Sequence, residues 1–148
     1  MTLDNGYFIF VCMGNICRSP FAEQYARQKF PHLLFDSFGT HVHTRESSPK
    51  DAVRAAQRQG IDLTLHQAKK FDQMPLPQEV NRYLAMDKKN IYRLKNDFAI
   101  PEHKIMLLDT PHEIEDPWSC GDAVYNKVYA QIMQAIDRQF GKNTFVAH

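Results

Sequence analysis

A chain of 148 residues, 43% hydrophobic and 24% charged with a formal net charge of +1, has the length of one domain and the composition of a globular one. That balance excludes a disordered or collagen-like chain and gives no electrostatic reason to expect nucleic acid or an anionic membrane as partner. Its three cysteines, Cys12, Cys17 and Cys120, are odd in number and do not make a secreted disulfide scaffold, so a reducing, cytoplasmic setting is expected.

No segment approaches the roughly 20 apolar residues that cross a bilayer. The apolar run Tyr7–Met13 follows Asp4 rather than a basic leader and precedes no small-residue cleavage site, so it reads as a strand rather than a signal. Its Tyr-Phe-Ile-Phe-Val-Cys start suits a central strand covered on both faces. Gly14 and Asn15 tolerate positive φ and allow a tight turn, and Ser19-Pro20 opens a helix with Pro20 at its first position. Phe21, Tyr25 and Phe30 share a helical face that Pro31 ends. Leu33–Asp36 is a short second strand, and Phe38–Pro49 a polar loop. Ser48-Pro49 opens a second helix with Val53, Ala56 and Gln57 inward, closed by Gly60. A short helical piece is expected at His66–Phe71 and a connection at Met74–Gln78. A third strand follows at Asn81–Met86, then a helix from Asp87 through Leu94, and a fourth strand at Lys104–Leu108. A loop spans Asp109–Gly121, and a last helix spans Asp122–Phe140 with Val124, Val128, Ile132, Ala135 and Ile136 as its stripe.

Strands alternating with helices imply a parallel sheet with right-handed crossovers. Ligands in such sheets bind beyond the carboxyl ends of the strands, which directs attention to residues 12–19, 36–43 and 109–120.

The first of these carries the chemistry. Cys12-Met13-Gly14-Asn15-Ile16-Cys17-Arg18-Ser19 joins a buried strand to a helix N-terminus through a Gly/Asn turn. Successive backbone N–H groups in such a turn converge on an anion, reinforced by the helix dipole. Arg18, six residues after Cys12, offers a planar fork matched to phosphate oxygens. The same surroundings favour thiolate over thiol, making Cys12 a nucleophile aimed at whatever the turn holds. A buried cysteine ending a strand, with Arg18 on a solvated turn, is the plainer account of those two residues. The strand–turn–helix context tells against it.

Val11-Cys12-Met13-Gly14-Asn15-Ile16-Cys17-Arg18-Ser19-Pro20 resembles the signature of the low-molecular-weight protein tyrosine phosphatases, Cys-x5-Arg-Ser near the N-terminus. The likeness continues through Asp36-Ser37, Gly39-Thr40, Gly60-Ile61, His66, Phe71-Asp72, Met86-Asp87, Asn90, Leu94 and a second hallmark, Asp116-Pro117-Trp118. It implies one domain over residues 1–148: a three-layer α/β, phosphatase I-like fold with a four-stranded parallel sheet in the order 2-1-3-4.

The activity implied is hydrolysis of phosphotyrosine and small aryl phosphates through a phosphocysteine, without metal or cofactor. Cys12 would attack phosphorus, Arg18 and the amides of Met13, Gly14, Asn15, Ile16, Cys17 and Arg18 would hold the phosphate, and Asp116 would protonate the leaving oxygen. Glu113 and Glu115 rival Asp116 locally, but neither precedes a proline, and both read as solvated loop charges. Ser19 would donate its hydroxyl to the Cys12 sulfur. Ser37 and His66 would pin the amide of Asn15, with helix capping the plainer role for His66. Asp87 would hold the loop near Arg18. Cys17, otherwise a small packing residue, would form a reversible disulfide with Cys12, and Cys120 is taken as inert.

Trp118, unless it is a loop anchor, and Met13 would wall a pocket for a phenyl ring. His41-Val42-His43 stands where many relatives carry a further aromatic, and Phe38 is expected to supply part of that wall. The partner implied is a tyrosine-phosphorylated protein, met by a monomer or weak dimer. Thioredoxin-coupled arsenate reductases share the fold and loop but need two further relay cysteines, and residues 60–110 contain none. A non-catalytic phosphotyrosine-binding module would need neither a nucleophile nor an acid.

Overall fold

The computed structural model describes residues 6–74 and 79–146. Strand β1 (Tyr7–Cys12) lies between β2 (Leu34–Gly39) and β3 (Arg82–Ala85), with β4 (Ile105–Leu107) beyond β3, giving a four-stranded parallel sheet in the order β2-β1-β3-β4. This is the expected order. Helices α1 (Arg18–Lys29), α2 (Lys50–Arg58), α3 (Lys88–Asn96) and α4 (Asp122–Val146) complete the element series.

Alternation along β1 divides the interior in two. Phe10 and Cys12 face a core built with Phe21 of α1, Ala52 and Ala56 of α2, and Tyr125, Tyr129 and Ile132 of α4. Tyr7, Ile9 and Val11 face a second core with Phe38, Leu94 and Ile100. A strand covered on both faces must be apolar throughout, which is why Tyr7–Cys12 shows no polar alternation. Among the described residues no helix is long and apolar enough to cross a membrane.

Several boundaries differ from expectation for identifiable reasons. The second strand is not Leu33–Asp36 but runs on to Gly39, because its six residues pair in register with β1 from Tyr7↔Leu34 to Cys12↔Gly39. Helix α1 starts at Arg18, so Pro20 is its third residue rather than its first; first-turn N–H groups lack intrahelical partners, so a proline there costs no bond. Helix α2 starts at Lys50 with Pro49 as N-cap and no side-chain cap. Gln57 is exposed, and Ala52 and Ala55 take the buried positions.

Of the expected helical piece His66–Phe71, only Phe71 is helical. Isolated bridges Ser47↔Gln67 and Gly39↔Lys70 hold the rest of it extended, and a 3-10 turn follows at Phe71–Gln73. Of the connection expected at Met74–Gln78, residues 75–78 lie outside the described residues, as does Asp4 before the first strand.

Candidate active site

The turn after β1 closes around the Cys12 sulfur. Asn15 adopts φ +54°, the left-handed region that asparagine tolerates better than most residues, and this aims its backbone N–H at Cys12 Sγ, 3.3 Å away. Ser19 Oγ lies 3.0 Å from the same sulfur. Asn15 Nδ2 donates to Ser19 Oγ at 2.7 Å and to Ser37 Oγ at 2.9 Å. A thiolate at Cys12 can only accept, so in that state Ser19 Oγ donates its hydrogen to the sulfur while accepting from Asn15 Nδ2.

Asn15 is held at every polar atom. Its Oδ1 accepts from Lys69 N at 2.9 Å, and its backbone carbonyl meets His66 Nε2 at 2.6 Å. Ser37 thus pins the side-chain amide as expected, whereas His66 holds the main-chain carbonyl, a correction to the expected pairing. A carbonyl can only accept, so Nε2 carries the proton, and burial keeps the ring below the ordinary histidine pKa.

Behind Ser37 lies Glu23, buried at 2% exposure, which sequence reasoning did not single out. Ser37 Oγ donates to its Oε1 at 2.5 Å, and Arg27 Nη2 stands 2.8 Å from its Oε2. Burial pushes the Glu23 carboxyl up. Lys69, which also pairs with Asp36, adds a second cation at 3.7 Å.

Arg18 is 3% exposed. Its Nη1 donates to Asp87 Oδ2 at 2.9 Å and to the Ile114 carbonyl at 2.8 Å, so one nitrogen ties the guanidinium to two loops. Asp87 also caps α3, accepting from Asn90 N at 3.0 Å. Ile114 N in turn donates to Met86 O at 2.8 Å, anchoring the 109–121 segment two residues before Asp116. Asp116 Oδ1 accepts from Trp118 N at 3.0 Å, an Asx turn that orients the carboxyl. Neither rival is idle: Glu113 accepts from Lys88 N at 2.8 Å and Glu115 pairs with Lys127 at 3.2 Å.

Cys12, Met13, Gly14, Ile16, Cys17, Arg18, Asp116 and Trp118 line one cavity of about 270 Å³, with Glu46 completing its wall. Trp118 is 59% exposed and Met13 45%, and both line this cavity. Phe38 is not part of it. Fully buried, Phe38 packs edge-on to Phe71 at 5.2 Å in the second core, because β2 carries its side chain to the face opposite Ser37.

Cys17 Sγ lies 3.2 Å from Tyr125 Oη, and burial pushes its thiol up to about 12. Tyr129 donates to the Cys17 carbonyl at 2.8 Å. Gly39 is also part of the site's construction. A Cβ there would stand 2.6 Å from Met13 O and 3.0 Å from Asn15 N, so only glycine lets β2 come this close to the turn. Thr40 N and His41 N extend the approach, donating to Cys12 O at 3.0 Å and Met13 O at 2.8 Å. Glu46, Glu23 and Lys69 reach the site through contacts distant in sequence and left no local signal. Gly39, directly before an exposed polar loop, did offer one.

A family model described as low molecular weight phosphotyrosine protein phosphatase matches residues 7–143. A Klebsiella pneumoniae protein bearing a low molecular weight protein-tyrosine-phosphatase name is 31% identical over 130 residues, which cover 86% of this chain and 90% of that protein. The tyrosine phosphatase Wzb from Escherichia coli K30, solved in complex with sulphate, matches with a TM-score of 0.81 at 26% identity, covering 92% of this chain and 96% of that one. The YwlE arginine phosphatase from Geobacillus stearothermophilus shares the fold, with a TM-score of 0.82 at 24% identity over 95% of this chain and 94% of that one.

Proposed function

Because the chain belongs to the low molecular weight phosphotyrosine protein phosphatase family, it is a cysteine-dependent protein tyrosine phosphatase, and we propose that Cys12, Arg18 and Asp116 carry its reaction. The Cys12 thiolate attacks phosphorus, forming a P–S bond as the P–O bond to the tyrosine breaks. The departing oxygen takes its proton from Asp116. Water then attacks the phosphocysteine, giving its proton to the Asp116 carboxylate, and the P–S bond breaks to release inorganic phosphate and restore the thiolate.

Protein groups act on each step. The amides from Met13 to Arg18 and the Arg18 guanidinium hold the equatorial oxygens. The Ser19 hydroxyl stabilises the sulfur as it leaves in the second step. Asn15, kept at positive φ by Ser37, His66 and Lys69, keeps the turn in its anion-holding form. Asp87 holds Arg18 in place. Met13 and Trp118 flank the tyrosine ring. Cys17 protects the nucleophile: a peroxide-oxidised Cys12 sulfenic acid condenses with the Cys17 thiol, releasing water and forming a disulfide that a thiol reductant reopens. The whole chain acts as one phosphatase unit, and its three free thiols suit a cytoplasmic location.

The observation that carries this reading is the Cys12 sulfur receiving the Asn15 amide and Ser19 hydroxyl at the floor of a cavity that Arg18 and Asp116 also line. The test is hydrolysis of a phosphotyrosine peptide beside a phosphoarginine peptide. Turnover of the first, abolished in Cys12→Ser, is expected. Turnover of the second alone would reassign the substrate.

A further inference from the structure

A second depression, of about 190 Å³, adjoins the catalytic cavity across Met13, which is a wall of both; His41, Lys89, Tyr92 and Arg93 also line it. None of its lining residues is acidic. Lys89 and Arg93 stand four residues apart on one face of α3, a like-charge spacing that weakens a helix rather than supporting it.

Lys89 forms no ion pair among the described residues, and Arg93 meets only Asp97, at 3.1 Å on its own helix. The neighbouring carboxylates are already engaged, Asp87 with Arg18 and Asn90, and Glu113 with the Lys88 amide. Tyr92 is 65% exposed, a large ring left at the surface beside these cations. The one carboxylate on the cavity wall besides Asp116 is Glu46, which does not line the depression.

We propose that this depression receives acidic side chains adjoining the phosphotyrosine of a protein substrate, with Lys89 and Arg93 as specificity-determining cations and Tyr92 as the shelf for the intervening chain. The proposal rests on the phosphotyrosine reading of the adjoining cavity. An extended chain advances roughly 3.3 Å per residue, and the shared Met13 wall places the cations within a few residues of the phosphate. Rim charges of this kind act on encounter and KM rather than on the bond-breaking step.

The test compares two phosphotyrosine peptides, one flanked by glutamates and one by alanines. The wild-type chain is expected to prefer the acidic peptide through a lower KM. Lys89→Glu is expected to reduce that preference about 2- to 5-fold, with the change in KM and the kcat ratio retained, and Lys89→Arg to keep it. Lys95→Glu makes the same charge change on α3 at a residue paired with Glu102, and is expected to keep the preference as well. Equal wild-type use of both peptides overturns the groove while leaving the phosphatase intact, and so does a preference that survives Lys89→Glu. Equal losses in Lys89→Glu and Lys95→Glu also overturn it, since they would assign the preference to the general field of the protein. Failure to hydrolyse either peptide instead overturns the phosphatase reading.

Discussion

Around the Cys12 sulfur the donors all point one way. Asn15 Nδ2 donates to both Ser19 and Ser37; Ser37 donates onward to Glu23, and Ser19 donates to Cys12 when the sulfur is a thiolate, which can only accept. Replacing Ser19 with alanine is therefore expected to slow breakdown of the phosphocysteine more than its formation, seen as a burst of released phenol followed by a slower steady rate; a variant with no burst denies the hydroxyl that role. Asp116→Ala is expected to lose roughly 10²–10⁴-fold on a phosphotyrosine peptide and far less on an aryl phosphate whose leaving group needs no proton. Equal losses on the two would take Asp116 out of the acid role. Cys17 carries a thiol raised to about 12, so little of it is thiolate at neutral pH and its capture of an oxidised Cys12 is slow unless the local structure opens. After a peroxide pulse, wild type is expected to recover activity with a thiol reductant while Cys17→Ser recovers less; equal recovery removes the protective role.

At the scale of elements, the site depends on how closely β2 approaches the turn. Gly39→Ala would drive a methyl against Met13 O and Asn15 N, both main-chain atoms that cannot swing aside. A stability loss of about 1–3 kcal/mol with a larger loss of kcat is expected, measured by denaturant unfolding and peptide hydrolysis; a stable, fully active variant would show that the strand can retreat. Helix α4 supports the turn from the other side. Tyr129 stacks on Phe21 with centroids 3.9 Å apart and donates to the Cys17 carbonyl, which as the N-cap of α1 also starts the helix ladder, so Tyr129→Phe removes one of two donors and is expected to cost about 0.5–1.5 kcal/mol. Helix α4 was legible because it carries its period over a long run, and strand β1 because its apolar run is unbroken. The His66–Phe71 segment was not, since its extended form comes from bridges to Gly39 and Ser47, contacts no local pattern announces.

Across the whole molecule, a sheet covered on both faces places two cores back to back, and the active-site turn sits where β1 leaves them. The His66 ring couples that turn to overall stability. Burial lowers its pKa below 6.5 in the folded chain, so the unfolded chain binds the additional proton. Its contribution is complete above about pH 6.5 and is lost as pH falls through 6.5 toward the folded value. Between about pH 7.5 and 5.5 wild type is expected to lose more stability than His66→Gln, read as unfolding midpoints at each pH; parallel curves would deny the linkage.

What the amino-acid order determined by itself was local: a cysteine, a Gly/Asn turn and an arginine within seven residues, an aspartate restricted by the following proline, and an alternation of strands and helices that implies a parallel sheet. These are local patterns, and local stereochemistry suffices to read them. Tertiary structure alone decided that Phe38 turns into the second core and leaves the pocket wall to Trp118 and Met13, that His66 holds a carbonyl and not an amide, and that Glu23, Lys69 and Glu46 belong to the site. Each of those outcomes depends on which face of a strand meets which neighbour, and strand pairing and helix packing set that only when the entire chain has closed.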